Sequence, residues 1–214
     1  MFKKEDITRK SILVGDRLDS LSAYKGMTCQ QNPQTFESFY KLLKEVKPKT
    51  VIEIGTSLGG LIRYINYMCK EMGLSLNAVT YDINDRGENF NNLMKSEGIE
   101  VKVENIFSEG YTGLKNTEIV DTIQQDGVTV VLCDGGNKPK EFNILSKYLK
   151  KGDIIMAHDY ASDKKKYEND IKEIYWNWHE ISDNDIDTAV TENNLKPFMQ
   201  DVFTNAVWVC KIKS

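Results

Sequence analysis

The side chains able to do chemistry stand at the ends of apolar runs. Glu53 lies inside VIEIGTSLGG, just before a glycine turn. Asp82 closes VTYD, Asp134 closes VTVVLC, and His158 and Asp159 close DIIMA. A carboxylate ahead of a glycine turn repels a phosphate and attracts an ammonium. Its plainer reading is a buried acid paired with some lysine. Asp82 could accept from ribose hydroxyls, as strand-end acids do in dinucleotide sites, or could merely cap its strand. Asp134, His158 and Asp159 together offer carboxylate oxygens and an imidazole. Hard oxygen ligands suit Mg²⁺, whereas imidazole suits Mn²⁺, Fe²⁺ or Zn²⁺ better. A cation held there could orient a hydroxyl and lower its pKa. Without one, His158 or Asp159 could act as a general base. The plainer readings are a turn at Asp134-Gly135-Gly136-Asn137, with Asn137 capping the next helix, and a hydrogen-bonded His–Asp pair closing a strand.

These positions need strands to carry them, and the chain supplies strands in alternation with helices. QTFESFYKLLKEV sets Phe36, Phe39, Tyr40, Leu43 and Val46 on one helical face, and Pro48 closes it. TVIEI follows as a β-branched strand. Residues 58–72 read as a helix, LNAVTYD as a strand, ENFNNLMKSEG as a helix ended by Gly98, and IEVKVENI as a third strand. EIVDTIQQDG is a helix with glycine past its end. After VTVVLCDGG, Pro139 suits the first turn of a helix that continues through KEFNILSKYLKKG. DIIMAHDY is a fifth strand, KKKYENDIKEIYW a polar helical stretch, and AVWVCKI a final strand. Val- and Ile-rich strands alternating with helices imply βαβ units and a parallel sheet covered on both faces.

Composition narrows the classes. With 214 residues, 40% hydrophobic and 28% charged, the chain suits one well-buried soluble domain. A net charge of −4 argues against nucleic acid as a partner. The basic runs at residues 147–151 and 164–166 read as solvated faces. MFKKEDITRKSILVG has no apolar core fit for a secretory signal, and no segment approaches the ~20 apolar residues of a membrane helix. Cys29, Cys69, Cys133 and Cys210 are scattered without zinc spacing. A cytoplasmic location without membrane partners is expected. No repeat or interdomain linker interrupts the chain, and residues 1–33 stand apart as an extension suited to a lid or to contact within a homo-oligomer.

The glycine turn selects the ligand class. Gly55-Thr56-Ser57-Leu58-Gly59-Gly60 lacks the second glycine of GxGxxG, so it suits a pyrophosphate poorly. Glu53 points the same way. S-adenosylmethionine carries an amino-acid moiety and a sulfonium cation and has no phosphate. Asp82 would then hold its ribose, Ile83 would lie against its adenine, and Asn105-Ile106 would meet the adenine edge. VIEIGTSLGG, VTYDI, VENIF and VVLCDGG, in that order over residues 34–214, resemble the class I S-adenosylmethionine-dependent methyltransferases. The resemblance implies a Rossmann-like, doubly wound α/β fold with a mostly parallel seven-stranded sheet, whose last strand, AVWVCKI, runs antiparallel. It also implies cofactor contacts at Glu53, Gly55, Asp82 and Asn105. Thr56, Ser57 and Gly59 share the turn and join these candidates, as does Asp134.

The fourth and fifth strands are similar to those of metal-dependent O-methyltransferases, and closest to the macrocin O-methyltransferase and cephalosporin hydroxylase-like branch. Gly26 and Gln31-Asn32-Pro33 echo that branch's N-terminal pattern. Members place one acid after strand four and an acidic pair after strand five, which Asp134 and Asp159 match and His158 does not. The resemblance therefore implies Asp134, His158 and Asp159 as ligands of Mg or Mn. Relatives carry a base three positions after the first acid; here that residue is Asn137, with Lys138 beside it. The catalytic base is then Lys138 or His158, or the metal alone activates the nucleophile. The expected function is O-methylation of a small molecule or sugar, with a metal-free enzyme or a non-catalytic binding module as rivals. Tyr24, Tyr160 and Trp178 could stack on the acceptor, whereas His179, inside YWNWHE, suits packing between aromatics.

Overall fold

The structure, a computed structural model, describes residues 1–14 and 17–214, with residues 10–14 and 17–20 described by backbone alone. Strands β1 (Ile7–Val14), β2 (Arg17–Tyr24) and β3 (Met27–Cys29) form an antiparallel sheet in that order. The chain then alternates as read: α1 (Gln34–Val46), β4 (Thr50–Ile54), α2 (Gly60–Glu71), β5 (Asn77–Asp82), α3 (Glu88–Ser96) and β6 (Ile99–Val103). α4 (Glu118–Ile123), β7 (Thr129–Cys133), α5 (Lys138–Leu145) and β8 (Ile154–Ala157) follow. The last part holds α6 (Lys164–Lys166), α7 (Asp183–Glu192), β9 (Leu195–Pro197), α8 (Gln200–Phe203) and β10 (Val209–Lys213).

The main sheet has seven strands in the order β6-β5-β4-β7-β8-β10-β9. β10 pairs antiparallel with both of its neighbours, so it alone runs against the rest of this sheet. β4, β7 and β8 are buried along their whole length, which is why they read as continuous apolar runs. The order reverses at β4 and β7, and a doubly wound sheet opens its ligand crevice at such a reversal. One core layer lies between the sheet and α1 and α2, and gathers Phe36, Phe39, Tyr64 and Trp208. The other, under α4 and α5, gathers Ile119, Phe142 and Leu145.

The stretch read as an extension is built into this core. Tyr24 is fully buried, in edge contact with Tyr64 at 5.0 Å between ring centroids and stacked on Phe2 at 5.6 Å. It is therefore a core residue and no candidate for stacking on an acceptor. β3 passes over the start of α2 so closely that a Cβ on Gly60 would lie 1.9 Å from the Thr28 carbonyl oxygen.

The later chain departs from its reading in three places. The polar stretch after α6 is a π-helical turn, Tyr167–Ile171, and then leaves the helix. Its Tyr167 and Ile171 pack with Trp176 in a small buried cluster of their own. The seventh strand is β9, a short edge strand drawn from the polar connection and invisible in its composition. AVWVCKI becomes a strand only from Val209, because Val207 sits in the left-handed region at φ 57 and breaks the run. Among the described residues no helix is long and apolar enough to cross a membrane.

Candidate active site

The β4 end carries Glu53, and among the described residues no lysine pairs with it. It is buried, and its Oε2 accepts from Thr80 Oγ1 at 2.6 Å. Burial, with Asp134 and Asp82 nearby, pushes its carboxyl up to about 8. Gly55 follows at φ 92, and a Cβ there would meet the Asp134 backbone oxygen at 2.2 Å. Only glycine lets the β4 and β7 loops approach so closely. Thr56 turns inward, its Oγ1 2.7 Å from Thr80 Oγ1, so it supports the turn rather than facing the crevice with its hydroxyl. Ser57, at φ 47, donates its N–H to Asp82 Oδ2 at 3.0 Å. Gly59, at φ 70, makes room for the ring of Phe90.

Asp82 ends β5 and ties the turn together. It accepts from the N–H groups of Ser57 and Asn84 and from Arg86 Nη2 at 3.2 Å. Burial would raise its pKa, but those donors outweigh it and hold the carboxyl below its usual range. A cavity of about 330 Å³ opens beside it, lined by Asp82, Ile83, Asn105, Ile106, Phe107 and Tyr111 among others. Ile83 is 70% exposed at the edge of this cavity. Asn105 lies in the loop past β6 and accepts the Phe107 N–H at 3.0 Å, so its carbonyl serves the loop and its amide faces away from that bond. Phe107 and Tyr111 stack at 5.1 Å.

A second cavity, of about 180 Å³, lies at the ends of β7 and β8. Gln31, Glu53, Lys138, His158, Asp159 and Trp178 are in its wall. The two cavities share Gly55, Ser57 and Asp134, so they meet at the glycine turn. An elongated ligand crossing that turn would put one end by Asp82 and the other by Lys138.

A sequence model described as rhamnosyl O-methyltransferase/CmcI matches residues 19–184. The chain belongs to this family. By that membership it is an S-adenosylmethionine-dependent O-methyltransferase of the CmcI-like branch. Among curated protein sequences none matches the chain significantly. An apo structure of CmcI superposes with a TM-score of 0.62 at 14% identity, over 89% of this chain and 75% of that one. CmcI with magnesium and S-adenosylmethionine gives 0.56 at 14% identity, over 88% and 75%. An O-methyltransferase family protein from Burkholderia thailandensis gives 0.50 at 9%, over 83% and 55%. At these identities the structures speak for the fold.

In this methyltransferase the three residues expected as metal ligands do converge: ligating atoms of Asp134, His158 and Asp159 lie within 4.8 Å of one another. His158 Nδ1 is 3.2 Å from Asp134 Oδ1 and 3.3 Å from Asp159 Oδ1. Its ring is flanked by Trp208 at 4.9 Å and Trp176 at 5.1 Å. Asp159, at φ 59, is held in the left-handed region, where a non-glycine residue stores strain. Trp176 Nε1 donates to its Oδ1 at 2.5 Å, and Lys138 Nζ lies 2.8 Å from its Oδ2. Gln31 Nε2 donates to Asp134 Oδ2 at 2.7 Å, and Gln31 Oε1 accepts from Trp208 Nε1 at 3.0 Å. Asn137 caps α5 as its plainer reading held, accepting the Lys140 N–H at 3.3 Å.

The charges in this cluster bear on whether a divalent ion fits. Burial alone would lower the pKa of His158, but Asp159 and Asp134 outweigh it and raise the imidazole above its usual value. Burial likewise opposes the charge on Lys138, yet Asp159, Asp134 and Glu180 hold its pKa above the ordinary lysine range. Asp159 is pushed up by burial and brought below its usual value by His158 and Lys138. Two carboxylates thus face an ammonium and the Nδ1 edge of an imidazole whose other nitrogen, Nε2, is buried without a partner. A dication there would meet the Lys138 ammonium, whose Nζ lies 2.8 Å from Asp159 Oδ2 and 3.7 Å from Asp134 Oδ1. As arranged, the residues present do not fit a divalent ion. Lys138 stands among three carboxylates, Asp134, Asp159 and Glu180, which favour its charged form.

Several participants had no mark in the sequence strong enough to single them out. Gln31 lay in a quoted pattern but carried no role, and Trp176 sat in a stretch read as a polar helix. Thr80, Glu180 and Glu141 also belong to the site. Glu141 is buried, accepts the N–H groups of Gly135 and Asn137 at 3.1 and 3.0 Å, and braces the loop after Asp134. Tyr160 donates to Asp183 at 2.8 Å and takes no part in either cavity wall given above, whereas Trp178 lines the second. His179 stacks on Tyr167 at 4.9 Å, as its packing role required.

Proposed function

We propose that the chain binds S-adenosylmethionine across the glycine turn and methylates a hydroxyl of a small molecule or sugar held in the 180 Å³ cavity. The observation that carries this reading is the meeting of the two cavities at Gly55, Ser57 and Asp134. The larger one suits an adenosine: Asp82 accepts from the ribose hydroxyls, with Arg86 and the Asn84 side chain yielding those positions, and Ile83, Ile106 and Phe107 enclose the adenine. Glu53 receives the ammonium of the methionine moiety. The sulfonium methyl then faces the wall formed by Lys138, His158 and Asp159.

Transfer requires the acceptor oxygen to attack the methyl carbon as the carbon–sulfur bond breaks, with the hydroxyl proton passing to neutral His158 or to the Asp159 carboxylate in the same cavity wall. Trp178 and the exposed side of Glu180 give the acceptor an aromatic face and a polar edge. CmcI has been seen with magnesium and S-adenosylmethionine together. That likeness would bring magnesium to Asp134, His158 and Asp159, and the Lys138 ammonium between the two acids speaks against it. The cofactor reading is tested by calorimetric titration with S-adenosylmethionine, S-adenosylhomocysteine and NAD. Binding of the first two without the third is expected, and NAD binding with the others silent would remove the proposal.

A further inference from the structure

We infer that Lys138 is the built-in counter-cation of this site, an ammonium that takes the electrostatic place of a divalent ion between Asp134 and Asp159. Its Nζ is 2.8 Å from Asp159 Oδ2, 3.7 Å from Asp134 Oδ1 and 2.9 Å from Glu180 Oε2. It also donates to the Gly135 carbonyl at 3.2 Å, so it bridges the β7 and β8 loops in the way a shared ion would. Its side chain is only 7% exposed and that of Asp159 only 8%, so this is not a screened surface pair. A buried carboxylate with no cation is costly, which is why the position must be filled by one charge or another. Gln31, Trp176 and His158 complete the donor set around the same two carboxylates. The assignment rests on the reading of this cavity as the place of methyl transfer, and it states what neutralises that place.

Removing the ammonium should therefore create a cation site where none operates now. Mn²⁺ is the probe, followed by electron paramagnetic resonance with S-adenosylhomocysteine present. Wild type should bind no stoichiometric Mn²⁺. Lys138→Met should acquire a site that binds it about tenfold or more tightly than wild type, because the freed carboxylates gain most from a new cation. Lys138→Arg, which keeps the charge, should not. Lys138→Gln serves in the same role if the methionine variant does not melt cooperatively. Stoichiometric Mn²⁺ in wild type would overturn the assignment, as would folded Lys138→Met or Lys138→Gln that gains none. Calorimetry with S-adenosylhomocysteine on the same samples separates the two readings. Its failure to bind wild type counts against the cofactor assignment and leaves the Mn²⁺ comparison to decide Lys138.

Discussion

Glu53 and Asp82 are the residues on which cofactor binding turns, and their opposite pKa shifts make them separable. Asp82→Ala removes hydrogen bonds to a charged acceptor worth ~1.5–3 kcal/mol each, so S-adenosylmethionine affinity should fall at least about tenfold. Calorimetry reads this directly, and unchanged affinity in a folded variant would move the ribose elsewhere. Glu53 behaves differently, because its carboxyl at about 8 is mostly protonated at neutral pH. A bound ammonium favours the charged form, lowers that pKa and expels the proton. Titrations at pH ~7 in buffers of different ionisation enthalpy should show release of up to about one proton, absent in Glu53→Gln. The sign for folding follows as well. A raised carboxyl leaves the folded state holding more protons than the unfolded between its ordinary value and about 8, so stability falls as pH rises through that window. Glu53→Gln should flatten that slope in thermal melts.

These acids were legible because strand ends and glycine turns have local marks. Gln31 and Trp176 were not, since their partners Asp134 and Asp159 lie 103 and 17 positions away and no spacing rule reaches them. The cationic state of Lys138 was equally hidden, being set by carboxylates from two other loops.

Among the elements, those with a clean period were read closely: α1 begins and ends where its apolar face does. β9 was missed because three residues at a sheet edge need no hydrophobic pattern, and the stretch read as one helix stops after Ile171, where Lys172 turns extended at ψ 133 and Glu173 sits left-handed at φ 63. The join between β3 and α2 is the element-scale feature with a sharp consequence. Gly60→Ala drives a methyl into the Thr28 carbonyl, so β3 must move and carry Gln31 with it. Overpacking of this kind costs about 1–3 kcal/mol. The variant should melt below wild type and be cleaved sooner by protease in the first thirty or so residues; an unchanged melt would show that β3 is not held against α2. Weaker S-adenosylhomocysteine binding should accompany the shift, because the displaced segment forms part of the cavity wall.

At the scale of the whole molecule, the seven-stranded sheet opens its switch point between β4 and β7, and the two cavities meet there. The alternation of strands and helices made this architecture readable. The docking of the N-terminal sheet into the same core was not, because it depends on contacts between segments far apart in the chain, such as Tyr24 with Tyr64. The account's central claim is that one ligand spans the turn, adenosine at Asp82 and methyl end at Lys138. A crystal structure of the complex with S-adenosylhomocysteine tests it most directly. The ribose hydroxyls should lie within ~3 Å of the Asp82 carboxylate, a hydrogen-bond distance. The amino group should reach toward Glu53, and the sulfur should face the cavity walled by Lys138, His158 and Trp178. Density for the ligand away from the glycine turn, or reversed across it, would contradict the account.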